Sequence, residues 1–296
     1  MLINTPNLDL AFKGFQTKYN DGFAKALIYW DKVAMKVSSA SRDETYGWIG
    51  QMPAFREWVG PRIVNNLSAQ KFTITNRKFE STIAIKREDF ADDRLGVFGP
   101  MFANMGELSR QHPEGLVMGL LRDGFTSKCY DGQNFFDANH FFNVNGAVTL
   151  VSNFQSGAGP AWYLLDTSHE IKPLIFQERE PYLLQTVVAD TDDYVFSKDE
   201  YLYGIRARVN AGYGLWQMAY GSQATLTPAN YALARAAMMN YRSDTGRILG
   251  IKPTVLVVPP ALESDALTLL NTEYGTAGAT NPWKGTAEAV VTPFVL

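Results

Sequence analysis

The sequence predicts an α+β fold with its helices and strands in separate blocks. Three observations carry that reading. Apolar residues recur at spacings of three and four over 97–126, and a helical block returns at 228–244. Alternation of apolar and polar residues marks 72–85 and 161–220, and "PTVLVVPP" near 253–260 is a continuous apolar run of strand length. With 296 residues, 46% hydrophobic and 19% charged, the chain can bury a large core as one large or two medium domains.

Taken in order, residues 1–35 are amphipathic. The first dozen read as an extended arm and 15–30 as a short helix. Residues 41–70 follow neither period. Within them, "TYGWIGQMPAFREWVGPR" at 45–62 places Tyr46, Trp48, Ile49, Met52, Phe55, Trp58 and Val59 among Gly47, Gly50, Pro53, Gly60 and Pro61. Such a segment is too irregular for a regular element, yet too apolar for an ordinary solvated loop. "KFTITNRKFESTIAIKRED" then predicts two half-buried antiparallel strands joined by a turn at "TNRK". In 97–126, Pro113 either kinks one helix or starts a second. "YDGQNFFDANHFFNVNGA" reads as loop and turns, and 161–220 as strand-rich. Thr227 followed by Pro228 is a cap and first turn for a helix that ends before Gly246. A buried strand follows, then a helix from Pro260 and a terminal strand in "AEAVVTPFVL".

The net charge of −3 argues against a dedicated nucleic-acid binder. Cys129 is the single cysteine, which excludes an intrachain disulfide and a zinc cluster made of cysteines. No basic-then-apolar leader and no run of about 18 apolar residues occurs, so a soluble protein made in a reducing cytoplasm is expected.

Catalytic patterns are sparse. The sequence contains no phosphate loop, H-E-x-x-H or G-x-S-x-G, and "GYGLWQ" lacks the third glycine of a dinucleotide loop. Cys129 could pair with His140, His112 or His169 as a nucleophile, although packing as a small hydrophobe is the expected role. Asp137 and His140 in "FDANH" are two possible metal ligands, too few for a site. "ADTDD" lacks the glycine and distal glutamate of an EF-hand loop. No catalytic, cofactor or metal site is predicted.

Charge is more informative. Residues 56–88 carry Arg56, Arg62, Lys71, Arg77, Lys78, Lys86 and Arg87 against Glu57, Glu80 and Glu88, a surplus of about four positive charges. Residues 190–200 carry Asp190, Asp192, Asp193, Asp199 and Glu200 against Lys198, about four negative. These are either two independent solvated surfaces, or the basic hairpin of one copy lies on the acidic segment of another. The latter is a heterologous contact that closes into rings or extends as a lattice.

"TYGWIGQMPAFREWVGPR", "KFTITNRKFESTIAIKREDFADD", "GFTSKCYDGQNFFDANH", "WYLLDTSHEIKPLIFQERE", "EYLYGIRARVNAGYGLWQMAYGS" and "IKPTVLVVPPALESDALTLLN" occur in this order. Together they resemble the major head subunits of Mu-like bacteriophages and prophages over nearly the whole chain. The resemblance implies the Hong Kong 97-type major capsid fold: an N-terminal arm at 1–40 and an extended loop with a two-stranded hairpin at 41–88. Residues 89–225 would be mainly the peripheral domain, with a spine helix at 97–126 and long strands from 161–220, and 226–296 mainly the axial domain. It implies a structural, non-enzymatic virion protein that assembles in the host cytoplasm as hexamers and pentamers around double-stranded DNA. Partners would be copies of itself, a portal protein and scaffold, decoration or minor capsid proteins, with no membrane. An encapsulin-like nanocompartment of the same fold is the alternative, and a hydrolase built on Cys129 a distant third.

In a shell, Trp48, Phe55 and Trp58 would anchor on a neighbour, with Arg56 and Arg62 setting register. The near-neutral wall would enclose DNA without holding it tightly. The arm is mildly basic, with Lys13, Lys18, Lys25, Lys32 and Lys36 against Asp9, Asp21 and Asp31. Some founding members of the fold crosslink through a lysine and an asparagine; Lys71, Lys78, Asn65, Asn66 and Asn76 match by residue type only. No maturation-protease site is evident, and a scaffold is expected to be a separate protein or already removed.

Overall fold

The structure, a computed structural model, describes residues 4–47, 72–92, 95–144, 147–243, 247–275 and 278–296. Helix α1 (Thr5–Lys25) starts where the Asn4 side chain accepts from the Asn7 amide at 3.0 Å. It buries Leu8, Ala11, Phe15 and Tyr19, one stripe at spacings of three and four. The extended arm expected for the first dozen residues is therefore helical, and the helix expected at 15–30 begins ten residues earlier. The apolar stripe outweighs the turn-forming Asn–Thr–Pro opening because Asn4 serves as cap and Pro6 lies in the first turn.

Helix α2 (Trp30–Val33) runs directly into β1 (Ala34–Ser38). Strands β2 (Asp43–Tyr46) and β3 (Phe72–Thr75) pair antiparallel, with Tyr46 opposite Phe72. Strand β4 (Arg77–Lys86) follows after Asn76. The hairpin expected between 72–75 and 79–85 does not form: β3 pairs with β2, whereas β4 pairs with a strand far along the chain. Asn76 makes the change of partner possible. Its amide donates to the Arg42 carbonyl, its side-chain nitrogen donates to Ser39 Oγ and the Ser41 carbonyl, and its oxygen accepts from Gln177.

After α3 (Arg87–Ala91), the long helix α4 (Gly99–Asp123) holds Pro113 in its interior, so no second helix starts there. Strands β5 (His140–Val144) and β6 (Ala147–Val151) form a hairpin where loop was expected. Next come β7 (Phe154–Gln155), β8 (Trp162–Leu165), β9 (Leu174–Val187), helix α5 (Asp193–Lys198), β10 (Glu200–Tyr213) and β11 (Ala219–Ser222). Helix α6 (Pro228–Met239) is capped by Thr227 as predicted. Strand β12 (Val255–Val258) is wholly buried; α7 (Glu263–Asn271) and β13 (Glu288–Val291) complete the chain.

Two main sheets result, ordered β1-β9-β10-β4 and β13-β12-β8-β11-β7. The strand-rich 161–220 stretch divides between them. The fourteen-residue strands β9 and β10 form the centre of the first sheet, while the short β8 and β11 join the second. One core surrounds the five-stranded sheet and the C-terminal half of α4. A second fills the space between α1, α4 and the inward face of β4 and β10, and a smaller third cluster joins Tyr46 and Ile74 to Ile175, Leu215 and Met218. In that second core Phe15 stacks on Phe102 at 4.2 Å and meets Tyr203 edge-on at 5.2 Å. Helices α1 and α4 approach very closely at two glycines. A Cβ on Gly106 would lie 2.0 Å from the Tyr19 carbonyl oxygen, and one on Gly22 1.9 Å from that of Ala103.

Candidate assembly surface

The four-stranded sheet carries α1 and α4 against one face. Between α4 and strands β4, β9 and β10 runs an apolar groove of about 380 Å³, lined in part by Phe79, Ile83, Met101, Met105, Leu108 and Tyr182. Leu108 and Met101 are 57% and 47% exposed on its rim. At its end the Tyr182 hydroxyl and His112 Nδ1 share a 2.6 Å hydrogen bond, and the imidazole meets Phe79 edge-on at 4.3 Å. Burial, with a contribution from Arg77, holds His112 below its ordinary pKa, so the ring is neutral at pH 7. Leu10 of α1, Leu27 just beyond its end and Leu183 of β9 are exposed as well. Apolar side chains standing outward on regular elements are the usual mark of a surface that other chains cover.

Of the residues expected to dock on a neighbour, Trp48, Phe55, Arg56, Trp58, Arg62 and Lys71 lie outside the described residues. The chain leaves the β2–β3 ladder after Tyr46 and re-enters it at Phe72, directly opposite. Arg77 and Lys78 are exposed at the start of β4. Arg77 lies 5.3 Å from the Phe79 ring centre, and Lys78 faces Arg208 across the ladder.

The acidic segment has intrachain duties that composition does not reveal. Strand β4 runs antiparallel to β10 in unbroken register, from Lys86 opposite Glu200 to Arg77 opposite Val209. Arg87 Nη2 lies 3.2 Å from Asp190 Oδ2, and the Arg87 amide donates to the Asp199 carbonyl. Asp192 caps α5 by accepting from the Tyr194 amide, and Asp193 occupies the first turn, where a carboxylate favours the helix dipole. Asp199 takes the left-handed conformation that ends α5, at φ 54°, and Glu200 accepts from the Tyr194 hydroxyl. Basic and acidic segments thus already touch within one subunit. Asn76, a crosslinking candidate by type alone, is buried with both side-chain amide atoms hydrogen-bonded.

Of the histidines considered as partners for Cys129, the structure brings His140 within 4.8 Å of it, with Asp131 bonded to both. Burial drives the Cys129 thiol pKa far up, which suppresses the thiolate a nucleophile needs. His112 is engaged by Tyr182, and His169 sits 3.5 Å from Asp166. Asp137 and His140 do not form a pair: Asp137 accepts from the Asn139 amide, whereas His140 turns inward to Asp131 at 2.6 Å. Asp131 was missed in the sequence because nothing in its spacing connects it to His140. Gly212 and Gly214 are packing glycines: a Cβ would lie 2.5 Å from Ile74 Cδ1 and 2.7 Å from the Lys172 carbonyl oxygen, respectively.

A long helix laid along a sheet of extended strands, a second buried sheet and a separate two-stranded ladder define, with the likeness to solved phage capsid subunits, a shell-building protein of the Hong Kong 97-type capsid class. The profile of the Mu-like prophage major head subunit gpT family matches residues 8–295, and the chain belongs to that family. It is 40% identical to the major capsid protein of Escherichia phage Mu over 306 aligned positions, covering 100% of each chain. It is 39% identical to the Mu-like prophage FluMu major head subunit of Haemophilus influenzae, covering 91% of this chain and 90% of the relative. Among solved structures, the procapsid of bacteriophage JBD30 superposes with a TM-score of 0.89 at 41% identity, covering 99% of this chain and 100% of that one. The JBD30 capsid superposes with a TM-score of 0.78 at 31% identity over 100% of both chains. This chain is accordingly a major head subunit, a structural component of the virion. No helix among the described residues is long and apolar enough to cross a membrane.

Proposed function

We propose that the subunit works without catalysis, assembling as hexamers and pentamers into an icosahedral shell that encloses double-stranded DNA and is joined at one vertex by a portal protein. The supporting observation is the end-to-end likeness to subunits of a phage procapsid and capsid, with a TM-score of 0.89 for the procapsid. A solved JBD30 capsid is decorated with minor capsid protein trimers, and we extend a decorating partner of that kind to this shell. The arm is taken as 1–40, the extended loop as 41–88, the peripheral part as mainly 89–225 and the axial part as mainly 226–296.

In this reading Trp48, Phe55 and Trp58 seat on the adjacent copy. Arg56, Arg62, Lys71, Arg77 and Lys78 set the register against the acidic segment containing Asp190, Asp192, Asp193, Asp199 and Glu200. Because Arg87 already engages Asp190, the neighbour's contribution is carried by the more N-terminal cations. Burial of the exposed apolar side chains of α1 and α4 supplies the remaining drive. The deciding experiment is electron microscopy of the purified full-length protein under varied salt, pH and crowding. Closed shells are expected, and monodisperse monomers under every condition overturn the reading.

A further inference from the structure

We propose that Cys129, Asp131 and His140 form a binding site for a single zinc ion beneath Trp216, a site that lies apart from the assembly surface and does not depend on it. The three side chains bring one sulfur, one carboxylate oxygen and one imidazole nitrogen within 4.8 Å of each other. Local backbone geometry gathers them. The Cys129 amide donates to the Gln133 carbonyl, and Gly132, at φ +83°, closes the turn that folds Asp131 back over the sulfur. The Asp131 carboxylate is held by the Gln133 amide at 3.0 Å and lies 3.1 Å from Cys129 Sγ through Oδ1 and 2.6 Å from His140 Nδ1 through Oδ2. His140, the first residue of β5, stacks on Trp216 at 4.0 Å with an interplanar angle of 9°. Tetrahedral zinc with thiolate and imidazole ligands sets sulfur and nitrogen roughly 3.5 Å apart, so small side-chain movements complete the geometry.

The cluster is buried: the Asp131 side chain is 4% exposed and that of His140 is 0% exposed, and a buried carboxylate calls for a compensating cation. A divalent ion held among the three side chains supplies it. On binding, the Cys129 S–H bond breaks and its proton leaves to solvent, and the sulfur–metal bond forms. The proton that lies between His140 Nδ1 and Asp131 Oδ2 moves through solvent to Nε2, so the neutral ring offers its Nδ1 lone pair to the ion. Thiolate and carboxylate together balance the two positive charges, which leaves a neutral buried cluster. A set of one thiolate, one imidazole and one carboxylate suits zinc and disfavours calcium and magnesium, which take oxygen ligands. Three protein ligands leave one tetrahedral position for water.

The test uses the full-length subunit, stripped with a chelator and titrated with Zn2+, and in parallel with Co2+ as a coloured substitute. One Zn2+ bound per chain, a raised melting temperature, and the thiolate-to-metal charge-transfer band of Co2+ are expected. Cys129→Ser keeps a hydroxyl that can donate to Asp131, so it preserves the hydrogen-bonded alternative while removing the thiolate; it should abolish the band and weaken Zn2+ binding at least tenfold. Failure of wild-type protein to bind Zn2+ stoichiometrically, stoichiometric binding without the Co2+ band, or unchanged affinity in Cys129→Ser each overturns the proposal. The wild-type spectrum remains decisive if the variant does not fold.

Discussion

Glu114 shows how much one side chain can govern the junction between arm and body. It projects from α4, and its Oε1 accepts from the backbone amides of Tyr29 and Trp30, the latter at 2.9 Å. Its Oε2 is buried and has no hydrogen-bond partner. Burial raises its pKa, and the two amides only partly counter this. A carboxyl whose folded pKa lies above its unfolded value binds protons more tightly in the native state. Its contribution to stability therefore grows as pH falls from neutral through the folded pKa. Glu114→Gln should remove that gain while keeping an acceptor for both amides, so its stability should match wild type at acid pH and equal or exceed it at pH 7. Thermal melts across pH 4–8 check this. Glu114→Ala instead orphans the amides and should cost on the order of 1–3 kcal/mol for each buried group left unpaired. The Arg87–Asp190 pair is of another kind: it is partly open to solvent, with Arg87 one-third and Asp190 about half exposed, so Arg87→Ala should change subunit stability by about 0–1 kcal/mol in urea unfolding.

At the scale of elements, the contact between α1 and α4 depends on two residues without side chains. Gly106→Ala places a methyl 2.0 Å from the Tyr19 carbonyl oxygen, a backbone atom that cannot rotate away. Overpacking of this kind costs about 1–3 kcal/mol or more. Gly14→Ala, on the exposed side of α1 with nothing within 4 Å, should instead stabilise by up to about 1 kcal/mol. Denaturant midpoints of the two variants should move in opposite directions. Elements with a strong period or a clear cap were legible in the sequence: α4 by its spacing, α6 by Thr227 and Pro228, β12 by four consecutive buried residues. Elements decided by distant partners were not. The sequence predicts a strand on each side of "TNRK", but their pairing to β2 and β10 rather than to each other depends on distant partners that no local pattern encodes. Helix α5 was read as strand because its six residues are too few to show a period, and the aspartates that cap it were counted only as charge.

For the whole molecule, the docking proposal predicts a separation of folding from assembly. Trp58→Ala combined with Arg62→Ala should leave the subunit folded by circular dichroism and by its melting temperature. It should sharply reduce shell yield in sedimentation and electron microscopy, and undiminished particles would remove the aromatic passage from the assembly surface. The family and fold could be read from six ordered segments of sequence; which charges neutralise each other inside one subunit could not, because β4 and β10 meet only after the sheet has formed. Asn76 has a further consequence for the assembled particle. It is the single residue between β3 and β4, and it holds the β2–β3 ladder to the large sheet together with Gln177, which bonds Tyr46 and the Ile74 carbonyl, and Asn210, which donates to the Thr75 carbonyl. Four hydrogen bonds fix it there. Asn76, Gln177 and Asn210 together set the angle at which the ladder leaves the large sheet, and because every copy carries the same three residues, a change in their bonding alters that angle in all copies alike.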